Sequence, residues 1–536
     1  NAPAQHKART DLIHSIDPTK PTVIVLDSNG FTSMGSSDAI DQIPLWKGTA
    51  TYIGLDPYVC YSWSSTCDYA RIDANIAAAN RAHLRYWGVV QAFNDGSWRW
   101  PTAAEARHIL RQWSRSRESG YMVFAWRWAG RSLASRPGLL AVLKRFNRGA
   151  VLRRPARTRK LAASAPADEI HYTFAGPTSV AVDWRGSAQT IRYGRTRRYG
   201  KLARAHRAVP APYSSSGPFW EVRIGGLKRG TAYHYSIGGG ADNMFSTAPK
   251  GPFRFDVEAD VGDSQDDPQV LTTQRQIAGD KPAFVIVAGD LTYANANGQR
   301  AADQHFDDVQ AWSRRAAYMP AWGNHEWDSG GDDLRNYKGR FAIPHAQASP
   351  GAPAAGCCGE DWSWFDAGGV RFISYPEPYA RATWLDWQSK ADLLMKVAQA
   401  DPHVHFIVTF GHRPAYSSGY HSGDDSLATI LNSLGDKYSK YVLNLNGHSH
   451  DYERFAPIHH VVHITAAGGG ADLEPWKGKD SRSVFRMLHL EHVRVDVSAS
   501  RIRIQALCGP ATSHDDGTCR LGQPIDTYTI TSRGTR

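Results

Sequence analysis

Apolar positions recur along residues 1–146 in short blocks separated by amphipathic stretches. The blocks are Thr22–Leu26, Thr51–Leu55, Tyr86–Phe93 and Tyr121–Trp128, each about the length of one strand. Between them, Asp68–His83 and Thr102–Glu118 space their apolar residues with the period of a helix that buries one face. This alternation predicts four βα units and hence a parallel sheet. Residues 147–167 are rich in Arg, Ala and Pro and read as a linker. Over 168–249 the pattern changes to short alternating strands, "IHYTF", "SVAVDW", "TIRYG", "FWEVRIGGL" and "AYHYSIG", separated by turn residues as in a β-sandwich. Trp184 is its candidate core anchor. Over 250–536 longer apolar, strand-like runs return.

Composition narrows the class without changing this outline. The chain is 42% hydrophobic and 21% charged, ordinary for a globular protein, and its 536 residues allow three or four folding units. No apolar run reaches the ~20 residues of a membrane helix, so no membrane association is expected. The net charge of +11 is confined to two places. Lys144–Lys160 carries eight Lys or Arg and Ile191–Ala208 seven, neither with an acid, and the rest of the chain nets −4. Such confinement reads as a solvated linker and one basic domain face. No aromatic–basic RNA-binding module accompanies it, so no nucleic-acid partner is expected.

Six cysteines fall as Cys60 and Cys67, Cys357 and Cys358, and Cys508 and Cys519, with no C-x-x-C pair to suggest a zinc ribbon. Three local disulfides in an exported protein fit this spacing. Reduced cytosolic thiols are the alternative, and the adjacent pair can also bond elsewhere. The chain opens on the polar Asn1-Ala2-Pro3, so export implies a signal peptide already removed or lying upstream.

In the first segment, "YIGLDPYVC", "RYWGVVQAF" and "GYMVFAWRWAG" resemble the last half of a glycosidase-type (β/α)8 barrel. A closed barrel takes about 250 residues, so the resemblance implies a truncated, barrel-like α/β segment over 1–146 or a chain that began earlier. It would place a carboxylate nucleophile on Val89–Phe93, where Gln91 stands instead. A retaining glycosidase needs two carboxylates, so this segment is expected to be inactive. In the second segment, Leu227 with Tyr233 resembles the tyrosine corner of fibronectin type III domains. No residues there have catalytic spacing, and a structural module is expected.

From Phe253 onward one feature repeats five times: an apolar run ends and a metal-capable residue stands at its end. "FRFDVEAD" ends at Asp260, "AFVIVAGD" at Asp290 and "YMPAWGN" at Asn324; "HFIVTFGH" ends at His412 and "YVLNLNGH" at His448, with His450 two residues on. Rigid strands aim the side chains of the loops after them, which is why ligands collect there. Oxygen and imidazole donors without thiolate suit iron, manganese and zinc. A central carboxylate can bridge two ions, the arrangement used for in-line displacement at phosphorus, and glycines beside the donors allow close approach.

"DVG" at 260–262, "GDLTY" at 289–293, "GNHE" at 323–326, "GHRPAY" at 411–416 and "GHSH" at 447–450 resemble the five motif blocks of the purple acid phosphatases, a metallophosphoesterase family. The resemblance covers roughly 165–535. It implies a multidomain fold in which a fibronectin-like sandwich precedes an α/β metallophosphoesterase domain of two mixed sheets flanked by helices. Carried over by position, Asp260, Asp290, Tyr293 and His450 would hold a ferric ion. Asp290 would bridge, and Asn324, His412 and His448 would complete a divalent site for Zn(II), Mn(II) or Fe(II). A phenolate from Tyr293 would give the ferric ion a visible colour. The implied activity is hydrolysis of a small phosphate monoester by attack of a metal-bound hydroxide. His325 and His421 are the candidate catalytic side chains that hold the phosphate or protonate the leaving alkoxide. Ser422 follows His421 where the family often has a second histidine. Glu326 is a candidate to orient a ligand, and Arg413 either attracts the anion or is simply solvated. His459, His460 and His463 are expected to pack rather than ligate, and His305, His345 and His403 have no partner motif. The alternatives are a phosphodiesterase on the same centre, or a carbohydrate- or wall-binding protein with a vestigial metal domain. A secreted location is expected; oligomeric state is not legible.

Overall fold

The computed structural model describes residues 2–17, 20–30, 39–128, 131–149, 167–212, 217–297, 300–327, 334–353 and 359–532. Most of the expected linker, 147–167, and the Cys357–Cys358 pair lie outside these residues. The chain divides into two compact units, one of residues 1–161 with 295–298, the other of 162–294 with 299–536.

In the first unit four parallel strands, Val23–Leu26, Tyr52–Leu55, Tyr86–Gln91 and Gly120–Phe124, lie side by side in chain order. The two helices expected between them run Ala70–Arg81 and Ala103–Arg115. The second begins at Thr102, whose hydroxyl accepts from the Glu105 amide while the Glu105 carboxylate accepts from the Thr102 amide, a reciprocal cap. An additional helix, Ala2–Ile16, occupies the opening segment that its polar sequence gave no reason to expect. Gln91 is buried and fully used: its carbonyl accepts from Cys60 N (2.9 Å), and its amide donates to Cys60 O (3.1 Å) and Arg99 O (2.9 Å). It is a structural tie at the place where the barrel resemblance implied a nucleophile. Cys60 and Cys67 form a disulfide, as do Cys508 and Cys519 in the second unit.

The second unit opens with two four-stranded antiparallel sheets over Asp168–Ser246. Trp184 is buried as expected, its indole N–H donating to Ala188 O at 2.8 Å. The Tyr233 hydroxyl accepts from the Lys228 amide at 2.9 Å, one residue past Leu227. The basic stretch 191–208 contributes two strands that its charge disguised, Lys201–Arg204 and His206–Arg207. Buried charge ties this sandwich to the two-sheet domain of residues 250–532: the Arg340 guanidinium donates to Glu169 (3.0 Å) and Asp303 (2.6 Å).

That domain holds two mixed sheets. One has six strands, including the parallel trio Phe253–Glu258, Phe284–Ala288 and Ala317–Ala321; the other has seven, including Phe406–Phe410 and Tyr441–Asn446. They pack through Phe255 and Phe284 of the first against Phe365 and Phe372 of the second, ring centroids 5.3–5.4 Å apart. These strands are buried on both faces, which is why they read as continuous apolar runs. No helix among the described residues is long and apolar enough to cross a membrane.

Candidate metal centre

The parallel strands of this domain are short and in register, so their C-terminal ends lie level with one another. Asp260 follows Phe253–Glu258, Asp290 follows Phe284–Ala288, and Asn324 opens a single helical turn after Ala317–Ala321; His412 and His448 follow Phe406–Phe410 and Tyr441–Asn446. The chain must turn sharply there. Asp260, Asp290 and His448 have φ of +55°, +47° and +75°, a left-handed region that costs a non-glycine residue about 1–3 kcal/mol and is concentrated at functional sites. Glycines permit the close approach. A Cβ on Gly323 would stand 2.1 Å from Asp290 Oδ1, and one on Gly289 would stand 2.5 Å from the His412 Cβ.

Two sets of donor atoms converge. His412 Nε2 lies 3.2 Å from Asn324 Oδ1, 3.2 Å from Asp290 Oδ2 and 3.1 Å from His448 Nδ1. Tyr293 Oη lies 3.0 Å from His450 Nε2 and 3.4 Å from Asp260 Oδ1, and those two are 3.3 Å apart. Donors about 2.1 Å from a common centre stand roughly 3–3.4 Å from each other, so both sets have the spacing of ligands around one ion. Asp260, Asp290, His412 and His448 are buried. The structure therefore gathers all seven residues that the strand ends and motif blocks singled out.

The electrostatics suit a cation. Burial alone would pull His412 and His450 down, but the carboxylates of Asp290 and Asp260 outweigh it. They lift His412 to about 9 and His450 to about 10. Burial opposes ionisation of Asp290, yet His412 and His325 hold it well below the usual carboxylate range. Burial and the neighbouring His412 and Arg413 drive His448 far down. Burial and the carboxylates of Asp260 and Asp290 push the Tyr293 phenol well above its ordinary value. Buried lone pairs facing one another are costly unless a positive charge joins them.

The surrounding residues fix these donors. Glu326 accepts from the amides of Asp290 (2.9 Å), Leu291 (3.0 Å) and Gly323 (2.7 Å), clamping two donor loops with one carboxylate. Asp260 Oδ2 accepts from the His448 amide at 2.8 Å, and Asp290 Oδ1 from the His325 amide at 2.9 Å. His412 Nδ1 faces Ala288 O (3.2 Å) and His450 Nδ1 faces Asp472 O (2.7 Å), which leaves each Nε2 directed at the centre. The His325 ring packs edge-on to Tyr293 with its Nε2 3.9 Å from Asp290 Oδ2. His421 stacks on His448, centroids 4.1 Å apart, and its Nε2 stands 3.3 Å from Glu474 Oε2.

Arg413 is about a quarter exposed and also tied into the site: its Nε donates to Glu377 Oε2 (3.1 Å) and its Nη1 lies 2.8 Å from His448 Nε2. Glu377 and Glu474 were not singled out in the sequence. Glu377 follows the strand Val370–Ser374, so the rule that found the other donors applies to it as well. His463 is buried in the strand Val462–Ala466, and His305 is buried between Gly262 O and the Tyr318 hydroxyl, each 2.9 Å away; both are packing residues.

Residues 253–452 match the family profile of calcineurin-like phosphoesterases. The chain carries a metallophosphoesterase domain. Among curated proteins it is similar to purple acid phosphatase 21 of Arabidopsis thaliana, 28% identical over 326 residues that cover 56% of this chain and 71% of that one. Purple acid phosphatase 18 of the same plant is 27% identical over 338 residues, covering 58% and 73%. In fold the chain is similar to the purple acid phosphatase from yellow lupin (Lupinus luteus) seeds, with a TM-score of 0.52, 19% identity, and 68% of this chain and 74% of that one covered. The domain is thus related to the purple acid phosphatases, and its family implies a two-metal centre, for which the buried group Asp290, His412 and His448 is present. The glycosidase-barrel resemblance of residues 1–146 is not shown by these comparisons.

Proposed function

We propose that this protein is a secreted acid phosphatase that hydrolyses small phosphate monoesters on an Fe(III)–M(II) centre, M being Zn, Mn or Fe. The convergence of two donor sets, one of His412, Asp290, Asn324 and His448 and one of Tyr293, Asp260 and His450, carries this reading. On it, Asp260, Tyr293, His450 and Asp290 hold the ferric ion, and Asp290, Asn324, His412 and His448 the divalent one. A bound metal pair supplies an acidified water and neutralises charge on the phosphoryl oxygens. The chain's own residues do the rest. Glu326 keeps the Asp290 and Asn324 loops in register through backbone hydrogen bonds. His325 presents its ring beside Asp290 as a donor to a phosphoryl oxygen. His421, held between His448 and Glu474, hands a proton to the leaving alkoxide. The two disulfides support export. Residues 250–536 would form the catalytic domain, 168–249 a fibronectin type III-like module, 147–167 a linker and 1–146 a barrel-like domain.

Metal analysis and a visible spectrum of the purified protein test this, repeated for Tyr293→Phe. Iron with a second metal and a colour lost or shifted in the variant are expected. A colourless, iron-free wild type that still turns over an aryl phosphate refutes the ferric assignment. Faster turnover of a bis-aryl phosphate would make it a diesterase.

A further inference from the structure

A cavity of about 450 Å³ opens at the opposite end of the catalytic strands. It is lined by Arg229, Lys250, His403 and His405, with Asp366, Asp401 and the glycine pair Gly368–Gly369. Five segments meet there: the turn before the sandwich strand Ala232–Ile237, the connection Lys250–Pro252 that enters Phe253–Glu258, the hairpin turn before Val370–Ser374, the loop that enters Phe406–Phe410, and the turn at Ala499. His405 and His412 flank one strand, so the cavity lies about 20 Å from the metal centre.

Arg229 and His405 are half-buried, while Lys250 and His403 are open to solvent. Among the described residues, Arg229, Lys250, His403 and His405 make no side-chain hydrogen bond or ion pair, and Arg229 Nε is shut off from solvent without an acceptor. Elsewhere in this unit Arg185, Arg340, Arg371, Arg413 and Arg454 hold carboxylates, and half-buried Arg314 and Arg486 hold the Gln310 side chain and Gly478 O. The two acids at the cavity are already engaged: Asp366 is gripped by both ends of the Arg371 guanidinium at 2.8 Å, and Asp401 Oδ1 accepts from the His403 amide at 2.8 Å. An unmatched guanidinium nitrogen out of water is costly and seeks an acceptor.

The backbone is shaped to hold these groups in place. Gly369 has φ +84°, and a Cβ there would stand 2.7 Å from His405 Cδ2; Gly230 has φ +62°, and its Cβ would press on the Lys250 stem at 3.1 Å. His405 N donates to Gly369 O at 2.7 Å, which pins the imidazole-bearing loop to the hairpin turn.

We infer that this cavity is a binding site for a phosphate-type oxyanion, separate from the metal centre, in which Arg229 and Lys250 carry the charge and His403 and His405 donate ring N–H groups. Guanidinium recognition of such an oxyanion is bidentate, while the lysine acts as a point charge. The occupant bridges the sandwich and the catalytic domain, because Arg229 belongs to the first and His405 to the second.

Equilibrium dialysis of the full-length, metal-replete protein against radiolabelled inorganic phosphate, and separately tripolyphosphate, tests the site. Two classes of site per chain are expected for at least one of these anions. Arg229→Gln/Lys250→Gln should lose the class that weakens with added salt, by about tenfold or more in affinity, while turnover of an aryl phosphate is unchanged. His412→Ala should lose the other class and keep this one. The anion retained more tightly in His412→Ala identifies the source, free phosphate or a condensed chain. Unchanged stoichiometry in the double variant, or no second class for either anion, overturns the proposal.

Discussion

In the sheet of residues 23–124 the strand ends carry Asp27, Asp56 and Gln91; in the six-stranded sheet the same topological positions carry Asp260, Asp290 and Asn324. Both are C-terminal ends of parallel strands, yet they are finished differently. In the first unit the ends are capped by apolar rings: Tyr58 packs on Phe93 and Trp98, with centroids 4.8 and 5.6 Å away, and Phe124 packs on Trp128 at 5.1 Å. Burial lifts Asp56 to about 7, partly offset by its hydrogen bond from Tyr58 and reinforced by Asp27. Gln91 is spent on three backbone groups. In the second unit imidazoles take the place of those rings, and glycines bring carboxylates to within 3.2–3.3 Å of them. A parallel sheet offers the position; the chemistry of what fills it decides between a packed end and a charged centre.

The largest effect should come from removing an imidazole at the centre. His412→Ala is expected to lower kcat on an aryl phosphate by on the order of 10³-fold; a loss under tenfold would detach turnover from this centre. Next, Glu326→Gln weakens the clamp on four amides, those of Asp290, Leu291, Thr292 and Gly323, without touching a donor atom. It should lower metal affinity by about 10- to 100-fold, read by competition with a chelator, and unchanged affinity would demote Glu326 to packing. On the other side of the comparison, Gln91→Leu strands three backbone groups and should cost roughly 2–4 kcal/mol in denaturant unfolding of the first unit. Phosphatase turnover should hold; if it falls in parallel, the two strand-end systems are not independent.

The smallest effect concerns acid stability. Among the described residues, buried His463 has no hydrogen-bond partner, and burial first, then Arg482 and His459, pull it down to about 3. It is neutral when folded and takes a proton when unfolded, with an unfolded value near 6.5. Its contribution is complete above about 6.5 and is lost progressively as pH falls toward 3. Tm should drop over this window, and His463→Leu should drop less steeply; parallel slopes would remove His463 from the acid response.

Much of this was legible without coordinates, for a local reason. Strand runs, helix periods and turn residues are nearest-neighbour properties, and a donor beside a glycine at the end of a strand keeps its meaning in one dimension. Asp260, Asp290, Asn324, His412 and His448 were found that way, and the first segment was read as inactive because Gln91 stands where its resemblance implied a carboxylate. Glu377 was missed although it follows a strand end, whereas the partners of Arg413 and Glu474 show only when the chain closes on them.

The sequence alone determined the three kinds of element along the chain, six candidate donors at strand ends and the disulfide spacing, because each depends on residue type and short-range order; Tyr293 came from the family resemblance of its motif block. Tertiary structure alone decided that Asp260 and His448, 188 residues apart, share a hydrogen bond; that one carboxylate clamps two donor loops; and that four basic side chains, unpartnered among the described residues, ring one cavity. Those contacts are fixed by how two sheets pack, and packing has no period that a linear pattern can carry.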